Sequence, residues 1–510
     1  AHAIVVTQGL GPRALALVAH LHRRHHRAID GAGGVPEDAG DGAVGHDRSV
    51  AKKAGGRASR LGTKRTKLDG MKRACIIGAG SSGIAAAKAL HQAGVPFDCY
   101  EKSDRVGGNW VFGNKNGMSS SYRGLYINTS RDRMQYADYP MPGSYPDFPH
   151  HTQIAEYFER YVDHFGFRSA IRFETGVTRA ELGPDRAWVV RTDRGGEERY
   201  DALLVANGHH WDPAWPDPPY PGTFSGQQMH AHDYKEDAIL RGKRVLVVGM
   251  GNSAMDIACE SSQVAARTVL SARRGAHVIP KYLFGRPLDQ FFTSSRLPLS
   301  VRRLVGTTMH RLAVGDMTRY GLPKPDHAIG QAHPTISGRI LDRLAHGAIT
   351  VRPAIERLDG DLVRFADGTS EPFDLVVWCT GYKVTFPFFD PAFVSARDND
   401  LPLFLRFFHP VYHDLMFVGL LQPLGAIMPL AEAQSAWAVK YLKGEYALPP
   451  QAEIARRIAE EREAMFARYV RSRRHTMQVD FDDYLESVRR EVRAGERRAR
   501  RERPPRWASP

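Results

Sequence analysis

Two glycine-rich turns, each set between a strand-like run and a helical one, constrain this chain of 510 residues more than anything else in it. The first, Gly78-Ala79-Gly80-Ser81-Ser82-Gly83, follows the apolar run Ala74 to Ile77 and opens an alanine-rich stretch that ends near Gly94. A second apolar run then leads to Glu101, 23 residues after the first glycine. Strand, turn, helix, strand and acid in that order specify a βαβ unit that holds a dinucleotide. Gly78 makes the tight turn, Gly80 lets the backbone approach a pyrophosphate, and Gly83 lets the helix pack on the strand. The helix start at Ser81 and Ser82 supplies free amides to the anion, and Glu101 can accept hydrogen bonds from an adenosine ribose.

The second turn, Gly249-Met250-Gly251-Asn252-Ser253-Ala254, repeats the arrangement with one change. Its following strand ends in Ser271-Ala272-Arg273-Arg274, so two guanidiniums stand where an acid would receive a ribose hydroxyl. An acid would repel a 2′-phosphate, whereas paired arginines attract and fork it. This site is expected to prefer NADPH, unless Arg273 and Arg274 merely face solvent. Two different second-strand ends imply two different nucleotides, with FAD in the first site and NADPH in the second.

From residue 71 onward apolar strand runs alternate with longer helical segments, the pattern of parallel sheets with crossover helices. The expected architecture is α/β, with two doubly wound Rossmann-like domains and the NADPH domain (239–345) inserted in an FAD domain (71–238 and 346–450). A helical segment at 451–488 and a basic disordered tail at 489–510 complete it. Residues 1–70 contain no Phe, Trp, Tyr, Cys or Met and are expected to be a disordered extension.

The net charge of +14 raises the question of a nucleic-acid partner. Residues 1–70 hold 12 Lys and Arg against 6 Asp and Glu, and residues 489–510 hold 9 Arg against 3 Glu, so the two ends carry +6 each and the rest only +2. That distribution argues against nucleic-acid binding. No apolar run is long enough to span a membrane, and the expected location is cytoplasmic. The four cysteines are scattered, which excludes a redox pair of the disulfide-reductase kind and any readable metal site.

Between the two fingerprints, Phe224, Gly226, His230 and Tyr234 fit the spacing FxGxxxHxxx[YFW]. Together with Glu101-Lys102, Gly107-Gly108-Asn109-Trp110, Ile127-Asn128-Thr129-Ser130, Gly208-His209-His210, Gln422-Pro423-Leu424-Gly425 and His475 to Gln478, this resembles the flavin-containing monooxygenases, of the dimethylaniline N-oxide-forming type. The resemblance covers about Met71 to Val488. It implies an NADPH-dependent enzyme that forms a C4a-hydroperoxyflavin with O2 and oxygenates a small-molecule soft nucleophile, an amine nitrogen or thioether sulfur. It further implies Asn128 as the active-site residue, bridging flavin adduct and nicotinamide ribose, unless that amide only caps its loop as an Asx turn. Lys102, Gly108, Asn109, Trp110, Thr129 and Gln422 would line FAD, while Asn252, Ser253 and Ala254 would meet the NADP phosphates. Departures are Ala254, where many members have glycine, and the lack of the apolar C-terminal anchor of animal members. Three alternatives stay open: a Baeyer-Villiger enzyme acting on ketones, an oxidase releasing peroxide, and a non-catalytic flavin-binding redox regulator. A homodimer is a candidate assembly.

Overall fold

The computed structural model describes residues 72–291, 299–470, 472 and 476–502. The disorder expected of residues 1–70, like the last residues of the tail, lies outside them. In chain order, β1 (Ala74–Ile77), α1 (Ser81–Gln92), β2 (Phe97–Tyr100), β3 (Ile171–Arg172) and β4 (Ala202–Val205) come first. Then follow β5 (Gln227–His230), β6 (Arg244–Val248), α2 (Asn252–Val264), β7 (Arg267–Ser271), α3 (Leu299–Ala313), β8 (Thr350–Arg352) and β9 (Leu375–Trp378). The last part holds β10 (Leu415–Phe417), β11 (Gln422–Leu424), α4 (Met428–Leu442), α5 (Gln451–Arg468), β12 (Gln478–Asp480) and α6 (Phe481–Glu502).

Two five-stranded sheets carry the architecture, and every pairing in both is parallel. The first runs β10-β4-β1-β2-β3 and the second β5-β9-β6-β7-β8. In each, the strand before the glycine turn lies at the centre and the chain goes first to one side and then to the other, which opens a crevice at the strand ends. The central strands are buried on both faces. Ala74 and Ile76 of β1 join the core under α1 and α4, while Cys75 and Ile77 join a second core against a three-stranded antiparallel sheet holding Trp188 and Val190. β6 divides likewise, Val245 and Val247 to one side and Leu246 and Val248 to the other. Such strands read as continuous apolar runs because neither face meets water.

Two expected boundaries move. The second sheet takes β5 from before residue 239 and β8 and β9 from after 345, so the inserted domain is wider than 239–345. The basic end also differs, because α6 continues to Glu502 rather than fraying after 488. Tyr484, Val488, Glu491 and Ala499 recur at helical spacing and are buried. Glu491 accepts a hydrogen bond from Tyr446 Oη at 2.9 Å and pairs with Arg457 and Arg498, so part of the basic charge is held inside the fold.

Candidate active site

At the carboxyl end of β1 the chain turns through Gly78 at φ +99°. A Cβ there would stand 2.7 Å from the Ala206 carbonyl oxygen, and one at Gly83 would overlap the Gly78 carbonyl itself. The turn therefore fits only glycine at both places and seats α1 directly against the strand. Gly80 caps α1 with no side chain bonded to the first-turn amides. Opposite it lies Gly108, whose Cβ would come 3.2 Å from Gly80 Cα. Uncapped amides in a cradle bare of side chains fit a pyrophosphate. Glu101 is buried and accepts from the Ala79 amide and the Ser103 amide, each at 2.7 Å. Burial pushes its carboxyl up despite these bonds. A carboxylate has about four acceptor positions, so lone pairs remain for a ribose. The residues present fit FAD.

The other predicted residues of this site divide. The Ser81 carbonyl accepts from Tyr136 Oη at 2.5 Å, and Ser82 lies against the segment at Gly419 that leads to Gln422. Asn109 is committed elsewhere: its side-chain oxygen accepts from the Ser120 amide and hydroxyl, both at 2.8 Å. Trp110 is half-buried against the core, and Lys102 is exposed beside Gly176.

In the second fingerprint Gly251 caps α2, again with no side-chain cap. Asn252 spends its oxygen on the Ile336 amide at 2.8 Å, leaving its NH2 to donate. Ser253 stays half-buried at the helix start, and the Ala254 methyl is fully buried in the core, so this turn accommodates the departure from glycine. Arg273 and Arg274 are both exposed, but they are not equivalent. Arg274 Nε sits 3.3 Å from Asp326 Oδ2, whereas Arg273 has no ion pair among the described residues. Arg273→Ala is therefore expected to weaken NADPH binding by about 10- to 100-fold, the range of one charge-assisted contact, and to leave NADH unchanged. Arg274→Ala should do less, since Asp326 already neutralises it. Coenzyme titrations of the two variants decide this, and equal losses would refute the asymmetry.

Asn128 lies where the two folds meet, and the second domain grips its loop at both ends. Lys281 Nζ donates to the Ile127 carbonyl at 2.9 Å, and Asp289 Oδ2 accepts from the Ser130 amide at 2.6 Å. Asn128 and Thr129, half-buried, stand between these anchors, and no hydrogen bond to the Asn128 amide occurs among the described residues. Sequence reasoning missed both anchors, which sit in loops without a motif. It also missed two tyrosine–carboxylate bonds to α2, the first of them from the other fold. Tyr122 Oη donates to Asp256 Oδ2 at 2.6 Å, and Tyr234 Oη to Glu260. The two carboxylates are four residues apart on one face of α2, and burial raises both. Tyr234 of the FxGxxxHxxxY pattern, four residues past β5, thus braces the second fold from within, and only the Tyr122 bond reaches it from the first. His230, fully buried, accepts the His232 amide on Nδ1 at 3.1 Å, and burial lowers it to about 4. That leaves it neutral and structural.

Comparison with known proteins adds three findings. Residues 71–497 match the family model described as flavin-binding monooxygenase-like. Flavin-containing monooxygenase 5 of Rattus norvegicus is 37% identical over 440 residues, 82% of each chain, and dimethylaniline monooxygenase [N-oxide-forming] 2 of Mus musculus is 34% identical over 444 residues, 83% of each. The structure of S-allyl-L-cysteine S-oxygenase from Allium sativum has a similar fold, with a TM-score of 0.63 at 24% identity over 86% of this chain and 94% of that one.

Proposed function

The chain belongs to the flavin-binding monooxygenase-like family, and from that premise we propose that it uses a C4a-hydroperoxyflavin to oxygenate an amine nitrogen or a thioether sulfur. It is a flavin-dependent monooxygenase, an NADPH-dependent oxidoreductase with FAD and NADPH as cofactors. No helix among the described residues is long and apolar enough to cross a membrane. Bound FAD, reduced by NADPH, would supply the oxygen-activating chemistry, held by the Gly78–Gly83 turn and Glu101.

What this chain supplies is position and exclusion of water. The observation that carries the reading is the Asn128 loop, clamped by Lys281 and Asp289 at the meeting of both nucleotide folds with an amide left unspent. An amide can donate and accept at once, which suits a group placed between two cofactors. The Tyr122–Asp256 bond ties the first fold to the second, and Tyr234–Glu260 braces α2 inside the second. No acid, base or nucleophile of the chain needs to attack the substrate.

A thioether and a cyclic ketone offered in parallel, with NADPH in air, test the proposal. Sulfoxide forming in proportion to NADPH consumed is the expected result. Lactone as the main product would replace it by the Baeyer-Villiger reading, and NADPH oxidised to peroxide with neither product would leave only an oxidase.

A further inference from the structure

A cavity of about 260 Å³ lies between α3, the turn at 279–288 and the C-terminal ribbon. Leu283, Leu288, Met309, Ile329 and Phe481 make its walls apolar. Its wall segments run straight into the site described above. Pro280 precedes Lys281, which holds the Ile127 carbonyl, and Leu288 precedes Asp289, which holds the Ser130 amide. The third link is the parallel ribbon of β11 and β12, in which Gln422 faces Gln478 and Leu424 faces Asp480. Leu424 and Asp480 line the cavity. Residues two apart on a strand share a face, so Gln422 and Gln478 continue the same wall. Gln478 is 2% exposed, and among the described residues neither atom of its amide has a partner.

Charge in this wall does not balance. Arg302, Arg303, Arg468, Asp480 and Asp482 line the cavity, and Arg133 and Asp483 pair with them, so four arginines meet three aspartates. Arg302 pairs with Asp483 at 2.9 Å, Arg468 with Asp480 and Asp483, and Arg133 with Asp482 at 3.7 Å. Arg303, on the cavity wall, has no carboxylate partner among the described residues. Among the described residues it makes one long hydrogen bond, of 3.4 Å to the Arg468 carbonyl, and its buried Nε has no partner. His310 adds no charge, since burial lowers its imidazole and its Nε2 is 3.0 Å from the Val278 carbonyl oxygen. A half-buried, planar guanidinium with donors unspent, on the wall of a largely apolar cavity, is suited to forking a carboxylate.

We propose that this cavity is the substrate site and that it selects molecules with an apolar body and a carboxylate at the far end, held by Arg303. This rests on the oxygenase reading for the identity of the reacting atom, but not for binding. The apolar walls take the chain of the substrate, Arg303 fixes its acidic end, and the soft nucleophile is left toward Gln422, Gln478 and the Asn128 loop.

The test is titration calorimetry on the FAD-loaded enzyme saturated with NADP+, using γ-(methylthio)butyrate, its methyl ester and the matching primary amine. The acid is expected to bind about 10- to 100-fold more tightly than the ester or the amine, the range of one charge-assisted bidentate contact. Arg303→Met should bring the acid down to the level of the ester and leave the ester unchanged. Arg303→Lys, which keeps the charge and loses the fork, should fall between the two. Equal binding of acid and ester by the unaltered enzyme, or an acid preference that survives Arg303→Met, overturns the proposal. Arg303-dependent binding of the acid in an enzyme that oxygenates no thioether would refute the oxygenase reading and leave this one standing. Sulfoxidation indifferent to the substrate's charge would do the reverse.

Discussion

Gly83→Ala is expected to yield a protein that emerges from purification short of flavin and takes up added FAD about 5- to 150-fold more weakly than the unaltered chain. A methyl at this position would overlap the Gly78 carbonyl oxygen, and both atoms belong to backbone. No rotamer change can relieve the overlap, so α1 must lift from β1 and carry the first-turn amides of Ser81 and Ser82 away from the pyrophosphate. Overpacking of this kind costs about 1–3 kcal/mol, which spans roughly 5- to 150-fold in affinity. The second fingerprint provides the control. Ala254 holds the corresponding place in α2 and its methyl is already buried, so Ala254→Gly should change NADPH affinity little. Visible flavin absorbance per mole of protein, with a coenzyme titration alongside, reads both. A Gly83→Ala protein with a full complement of flavin would show that the first turn is not where FAD binds.

That contrast between two similar hexapeptides marks how far the sequence carries. Both βαβ units were legible because turn, helix start and second-strand end are local: Gly78 through Glu101 and Gly249 through Arg274 each bring their own geometry within about 25 residues. The extent of the second domain was not, because β8 and β9 enter its sheet beside β7 and β6 from far along the chain. Sheet order is a long-range property that apolar runs alone do not encode. The end of α6 was hidden for another reason. Its buried seam includes Glu491, whose burial depends on Tyr446, Arg457 and Arg498 from elsewhere in the fold. Likewise Arg273 and Arg274 are the same in sequence and differ only through Asp326. The anchors of the Asn128 loop, Lys281 and Asp289, belong to no motif and could be found only once the second domain was folded against the first.

Those anchors give the other large effect its shape. Asn128→Ala removes an amide that bonds to no described residue, so the fold has little reason to respond: melting temperature, FAD content and NADPH affinity should stay close to those of the unaltered enzyme. Product formation should not. If the amide bridges the two cofactors at the reacting centre, its loss removes a preorganised donor from a water-poor site, an effect that in other enzymes costs about 10²–10³ in kcat. NADPH oxidation would continue at a reduced rate, with hydrogen peroxide replacing most of the sulfoxide. Asn128→Asp sharpens the point, because it keeps the shape, loses the two N–H donors and adds charge, and should do no better than alanine. Asp289→Ala is the positioning counterpart. It frees the Ser130 amide that Asp289 holds at 2.6 Å and leaves the Asn128 amide present but less well placed, so its loss in kcat should be smaller, about 10-fold, with the same turn toward peroxide. The quantity to measure is product per NADPH consumed, together with thermal unfolding of each variant. An Asn128→Ala enzyme that couples as well as the unaltered one would remove this residue from the chemistry, and one that loses flavin or melts early would reduce it to a loop cap.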